Sequence, residues 1–179
     1  MNTLLEDLAL LRDPKAERRA LVSAIGRVVD ARLYEHEDAI RALMSHPSPD
    51  VRAEATSTLL ALWKRADLID AAVHMGLHDS NEFVRGEVYI GLGNLMRSDR
   101  TVDPVLVRKA LVAMTAVVTR DPDRAVQAGA YRTFLEILGR LKPGESVPAR
   151  FDRDRNVEWG LFEPYLNEAA TIDYTPASE

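Results

Sequence analysis

The stretch Ser48-Pro49-Asp50-Val51-Arg52-Ala53-Glu54-Ala55, with Leu59-Leu60 and Leu62 behind it, carries more architectural information than any other part of this chain. Serine and proline mark a turn, and proline followed by aspartate suits the opening of a helix, where a missing N–H costs nothing and a carboxylate meets the positive end of the dipole. Counted from Val51, the apolar residues fall at positions 1, 5, 9 and 12. That spacing places them on one helical face and cannot alternate along a strand.

The same pattern recurs on either side. Downstream, Asp79 leads to Val84-Arg85, Val88, Leu92-Gly93 and Leu95, and Asp121-Pro122 leads to Val126-Gln127, Ala130, Phe134-Leu135 and Ile137. Upstream lies a degenerate copy, Glu17-Arg18, Leu21, Ile25-Gly26 and Val28, with Glu17 where the others have valine. With Arg18, Arg52, Arg85 and Gln127 as equivalents, the copies are 34, 33 and 42 residues apart. Each interval holds two helices of a few turns and the turns that join them, so each copy reads as a helical hairpin. Amphipathic stretches at 37–45, 66–77 and 105–119 supply the partner helices, with Gly76 reading as the end of the second.

The motif Asp-x-x-Val-Arg-x-x-Ala before an apolar pair resembles the second helix of a HEAT repeat, and residues 14–141 share that resemblance. It implies an all-α fold, a short right-handed α-solenoid of about four HEAT-like helical hairpins with an irregular C-terminal cap. It also implies that the second helices line a concave face, and that Arg52 and Arg85 are structural, tying each repeat to the next through an aspartate. Gln127 in place of a third arginine is a departure that a terminal repeat tolerates.

Composition bounds the function. The 179 residues, 46% hydrophobic and 28% charged, suit a globular chain that folds without a staple. Absence of cysteine excludes thiolate zinc sites and thiol nucleophiles and suits a reducing, cytoplasmic setting. The opening residues lack the basic and apolar regions of a secretory signal, and no apolar run reaches the ~20 residues of a membrane span. Nineteen arginines against four lysines point to a GC-rich, bacterial source. Net charge is -5, most of it after residue 141, which argues against a large phosphate-binding surface and hence against nucleic acid.

The chain therefore divides into a repeat domain, 1–141, and an acidic, aromatic-rich segment, 142–179, that begins at the helix-breaking Lys142-Pro143-Gly144. That segment holds five of the eleven aromatics, Phe151, Trp159, Phe162, Tyr165 and Tyr174. Two readings stand: they fold back over the last repeat, or they anchor a partner.

No catalytic constellation emerges. His74 and His78 are spaced as two ligands on one helix, but no glutamate separates them as it does in zinc helices. His36-Glu37 is one pair where the HEAT-fold deoxyhypusine hydroxylases, which bind two irons, need four. Neither a metal nor another cofactor is expected. Projected outward from the second helices are Ala20, Ser23 and Arg27; Glu54, Ser57 and Ala61; Glu87, Ile90 and Asn94; and Gly129, Arg132 and Glu136. This face is mixed in charge, unlike the basic trough of the HEAT-like alkylpurine DNA glycosylases. Glu54 and Glu87 stack in one column and read as a solvated face or as salt-bridge partners.

The expectation is a non-enzymatic, monomeric protein-binding module, with Glu54, Ser57, Glu87, Ile90, Asn94, Arg132, Glu136 and Trp159 as its partner-binding residues. The resemblance suggests an adaptor or a toxin-neutralising immunity protein, whose acidity suits a basic target. The alternative is a HEAT-like enzyme, a bilin lyase or a glycosylase, using the same groove.

Overall fold

In a computed structural model, residues 2–13, 15–141, 145–148 and 150–174 are described. Four antiparallel helical hairpins follow one another along the chain. They are α1 (Asn2–Leu10) with α2 (Arg18–Asp30), α3 (Glu37–Leu43) with α4 (Pro49–Ser57), α5 (Ile69–His78) with α6 (Glu82–Ser98), and α7 (Pro104–Arg120) with α8 (Arg124–Ile137). The second helices pack in series, α2 on α4, α4 on α6 and α6 on α8, while α5 packs on α7 behind them. No strand occurs among the described residues. The all-α solenoid read from the repeat is therefore the observed architecture.

The repeat's apolar positions make the core. Val51, Val84 and Val126 are buried at matching points of α4, α6 and α8, and the next repeat positions, Leu21, Ala55, Val88 and Ala130, then Leu59, Leu92 and Phe134, are buried as well. Helix starts follow from local chemistry: Asn81 and Asp123 accept the N–H groups two and three residues on, and Pro49 and Pro104 occupy first-turn positions. The core forms two clusters, one from α1 to α4 and one from α5 onward, with Leu59 in the first and its neighbour Leu60 in the second. The turn that follows α4 thus joins the two halves.

Arginines lock the stack. The Arg85 guanidinium donates to both Asp121 oxygens, at 2.9 and 3.2 Å, and backwards to the carbonyls of Asp79 and Ser80 at 2.9 and 3.2 Å. Arg52 repeats this, reaching Asp79 at 2.8 and 2.7 Å and the carbonyls of His46 and Pro47 at 2.9 Å each. One arm of each arginine closes its own hairpin turn, and the fork reaches the next repeat. Gln127 keeps only the first task, donating to the Asp121 carbonyl at 2.7 Å. At the other end His46 stands where Asp79 and Asp121 stand in later copies, and Arg18 instead pairs with Asp50 at 2.9 Å.

Four local expectations are corrected. Leu62, assigned to the core, is 58% exposed. Residues Thr58–Leu62 form a π turn, with Trp63 N–H donating to the Thr58 carbonyl at 2.9 Å, and the extra residue per turn rotates Trp63 inward in place of Leu62. Gly76 does not end α5, which runs on to His78. A Cβ there would stand 2.8 Å from the Tyr89 ring, so the glycine serves close approach. Glu17 lies just outside α2 and caps it, accepting from Arg19 and Ala20 N–H at 3.0 and 3.2 Å, which is why no valine is needed there. The repeat region also begins before residue 14, because α1 completes the first hairpin.

Beyond α8, Arg153–Asn156 forms a short turn, α9, and Glu163–Thr171 forms α10, which packs on α7. Phe162 is fully buried and stacks on Phe134 with centroids 4.0 Å apart, and Phe151 and Tyr165 approach Tyr131 and Phe134. Arginines fasten this segment at both ends of α7: Arg108 pairs with Glu168, Arg120 donates to the Ala169 and Ile172 carbonyls, and Arg153 donates to the Thr119 carbonyl at 2.6 Å. Lys142, Pro143 and Gly144, read as the break after the repeats, lie outside the described residues.

Candidate functional site

The first turns of α2, α4 and α6 leave a groove of about 470 Å³ between them, lined by Arg18, Arg19 and Val22 on one side, Glu54 and Ser57 along the floor, and Phe83 and Glu87 on the other. The Arg–Asp ladder holds these helix starts at fixed separation.

Four of the outward residues read from the sequence, Ser23, Glu54, Ser57 and Glu87, meet in this groove. Glu54 is half-buried, and burial first, then the neighbouring Glu87 charge, raises its carboxyl above the ordinary glutamate range. Neither glutamate makes an ion pair among the described residues. Of the two sequence readings, the salt bridges are absent among the described residues, and the cations in the lining are Arg18 and Arg19. Asp50, at the rim, is already taken by Arg18.

Ile90, one helical turn beyond Glu87, is 47% exposed and extends an apolar step away from the groove. Asn94 and Arg132 lie further along the same face. Asn94 accepts from Arg97 at 2.6 Å through its side chain and from Lys64 at 3.2 Å through its carbonyl. Glu136 sits between Arg132 at 3.0 Å and Arg97 at 3.7 Å, with its side chain largely covered. Trp159 is in a different place altogether, half-buried in the C-terminal segment 5.9 Å from Phe162. Arg27, counted among the outward residues, is bound by the buried carboxylate of Asp7 at 2.7 and 2.6 Å. The absence of α1 from the sequence reading hid that partner.

Phe83 was not singled out by the sequence. It is 51% exposed and stands two residues before Arg85, where Asp50 stands before Arg52. A large apolar residue at a position that faces water in its sister repeat is the signal that could have found it.

The histidines resolve differently. His74 and His78 stack in the last turn of α5 with ring centroids 4.6 Å apart. Glu37 is held by Arg41 and Arg65, each at 2.6 Å, as a joint between hairpins. Among the described residues no three His, Cys, Asp or Glu side chains converge on a point that could hold a metal ion, and no helix is long and apolar enough to cross a membrane.

Comparison with known proteins gives one match. The family of HEAT repeats fits residues 3–93 and 38–133, which run from α1 into α8. No curated protein and no solved structure matches the chain. The ladder of arginines, the serial packing of second helices and the extent of this fit agree, and the chain belongs to the HEAT-repeat family.

Proposed function

We propose that this chain is a non-catalytic protein-binding module that takes a segment of another protein into the groove across α2, α4 and α6. HEAT repeats generally mediate protein–protein interaction. The observation that carries the reading to this groove is the column of Glu54 and Glu87, two carboxylates that make no ion pair among the described residues, beside the exposed ring of Phe83. A lysine or arginine side chain satisfies all three at once: its charge relieves the repulsion between the carboxylates, and its stem or guanidinium lies against the ring. The partner segment is therefore cationic with an apolar neighbour, as on an adaptor's client or on the basic surface of an enzyme that the chain neutralises.

Site-specific photo-crosslinking tests this. A photo-reactive residue at Ile90 is expected to give an adduct with the partner in cells, one at Asp70 on α5 to give none, and the Glu54→Lys, Glu87→Lys double variant to lose the Ile90 adduct. Equal adducts at both positions, or an adduct indifferent to charge reversal, places the interface elsewhere.

A further inference from the structure

A second groove opens at the far end of the stack. The C-terminal segment covers only part of the last helix: Phe151 and Phe162 lie over Tyr131 and Phe134, while the first turns of α8 stay open. Between those turns and residues 147, 148 and 150–156 runs a groove of about 840 Å³. Ala128, Val147 and Phe151 give it an apolar lining, and Arg124, Arg150 and Arg155 stand around it.

The charge balance of this groove is the inverse of the first. Its one lining carboxylate, Asp152, is already committed: one oxygen accepts the Asp154 N–H at 3.0 Å and caps α9, and the other lies 3.7 Å from Arg155 Nε. Arg124 and Arg150 have no acidic partner among the described residues. Two uncompensated guanidiniums over apolar walls, in a chain of net charge -5, are an unusual concentration of positive potential. Arginine forks match carboxylates bidentately, and an apolar lining adds the anchor that a surface of charges alone lacks.

We propose that this groove is a second docking surface, for an acidic segment of a partner protein in which aspartate or glutamate flanks an apolar side chain. The carboxylates engage Arg124 and Arg150, and the apolar residue lies against Val147 and Phe151. With a cation-seeking groove on α2 to α6 and an anion-seeking groove on α8, the chain has the means to hold two dissimilar segments at once.

The test uses the full chain as bait for a displayed library of random dodecapeptides, with the Arg124→Glu, Arg150→Glu double variant in parallel. Both arginines are exposed and neither makes a bond that folding needs, and circular dichroism verifies that the variant is helical. Peptides rich in Asp or Glu beside Leu or Phe are expected, and their affinity is expected to fall at least tenfold on the double variant, to weaken with salt, and to be unchanged on Glu54→Lys, Glu87→Lys. Cationic peptides that bind this second variant undiminished remove the first groove's reading and leave this one standing. Absence of acidic peptides from the selection, equal binding to the arginine variant, or tighter binding of a single-stranded DNA dodecamer through the same arginines overturns the proposal.

Discussion

Replacing Arg85 by glutamine tests the ladder at its most buried rung. The Arg85 and Asp121 side chains are 4% and 0% exposed, against 15% and 8% for Arg52 and Asp79. Glutamine already fills the equivalent position at 127, where it reaches the turn carbonyl, so Arg85→Gln keeps the contact to Asp79 and loses the fork to Asp121. Stranding one member of a buried pair costs about 3–5 kcal/mol. Asp121 retains the Asp123 N–H at 2.7 Å and the Tyr174 hydroxyl, which sets the expected loss at the lower end, about 3 kcal/mol. At about 2–4 °C per kcal/mol for a chain of this size, Tm falls by roughly 6–12 °C. Arg52→Gln, in a wetter setting, loses about 1–2 kcal/mol. Urea unfolding followed by circular dichroism reads both, with an unchanged m-value showing that the native and denatured states are otherwise preserved. A loss below about 1 kcal/mol for Arg85→Gln, or a larger loss for Arg52→Gln, refutes the view that the forks hold the repeats together.

Tyr89→Phe is expected to raise stability by about 1 kcal/mol, because the fully buried hydroxyl has no hydrogen-bond partner; a lower urea midpoint contradicts this. Phe162→Ala removes the ring stacked on Phe134 and is expected to cost about 3–5 kcal/mol by the same assay, whereas a cost near zero means that the C-terminal segment is not part of the cooperative core. Glu54→Gln changes the pH profile. The raised carboxyl binds its proton more tightly folded than unfolded, so the native charge disfavours the fold once pH passes upward through the unfolded value of about 4.3. The glutamine variant is therefore expected to melt higher than the native chain at pH 7 and level with it at pH 4, and the same gap at both pH values removes Glu54 ionisation as the cause.

The hairpins were legible because burial imposes one period on every copy: Val51, Val84 and Val126 occupy equivalent buried points, and nothing else in the sequence competes with that signal. What escaped has a common cause in tertiary contact. The π turn at Thr58–Leu62 follows an ordinary run of Thr, Leu and Ala, and only the inward turn of Trp63 reveals it. Gly76 carries a helix-ending propensity that the Tyr89 ring overrides, since no side chain fits between α5 and α6 at that point. The helix α1 lacks the Val-Arg signature of the second helices, and the bond that Arg27 donates to its Asp7 crosses 20 residues. At the site, Glu54 and Glu87 were visible as a column, but their lack of a cation was not, because pairing depends on which arginines the ladder consumes.

That consumption links the fold to the groove. Arg52 and Arg85 are the cations nearest in sequence to Glu54 and Glu87, two residues away in each case, yet both are turned inward onto Asp79 and Asp121. Arg18, at the rim, pairs with Asp50 there, since His46 offers no carboxylate at the ladder position. Each arginine spent on stacking leaves a glutamate of the outer face without its counter-ion, so the bonds that fix the spacing of the helices also leave the charge displayed between them. A rigid surface with a standing charge deficit loses little entropy on binding and gains by accepting a cation. On this argument Gln127 and Gly129 mark where the device stops: α8 has neither the fork nor an outward glutamate at the corresponding step, and the groove accordingly spans α2 to α6 and goes no further.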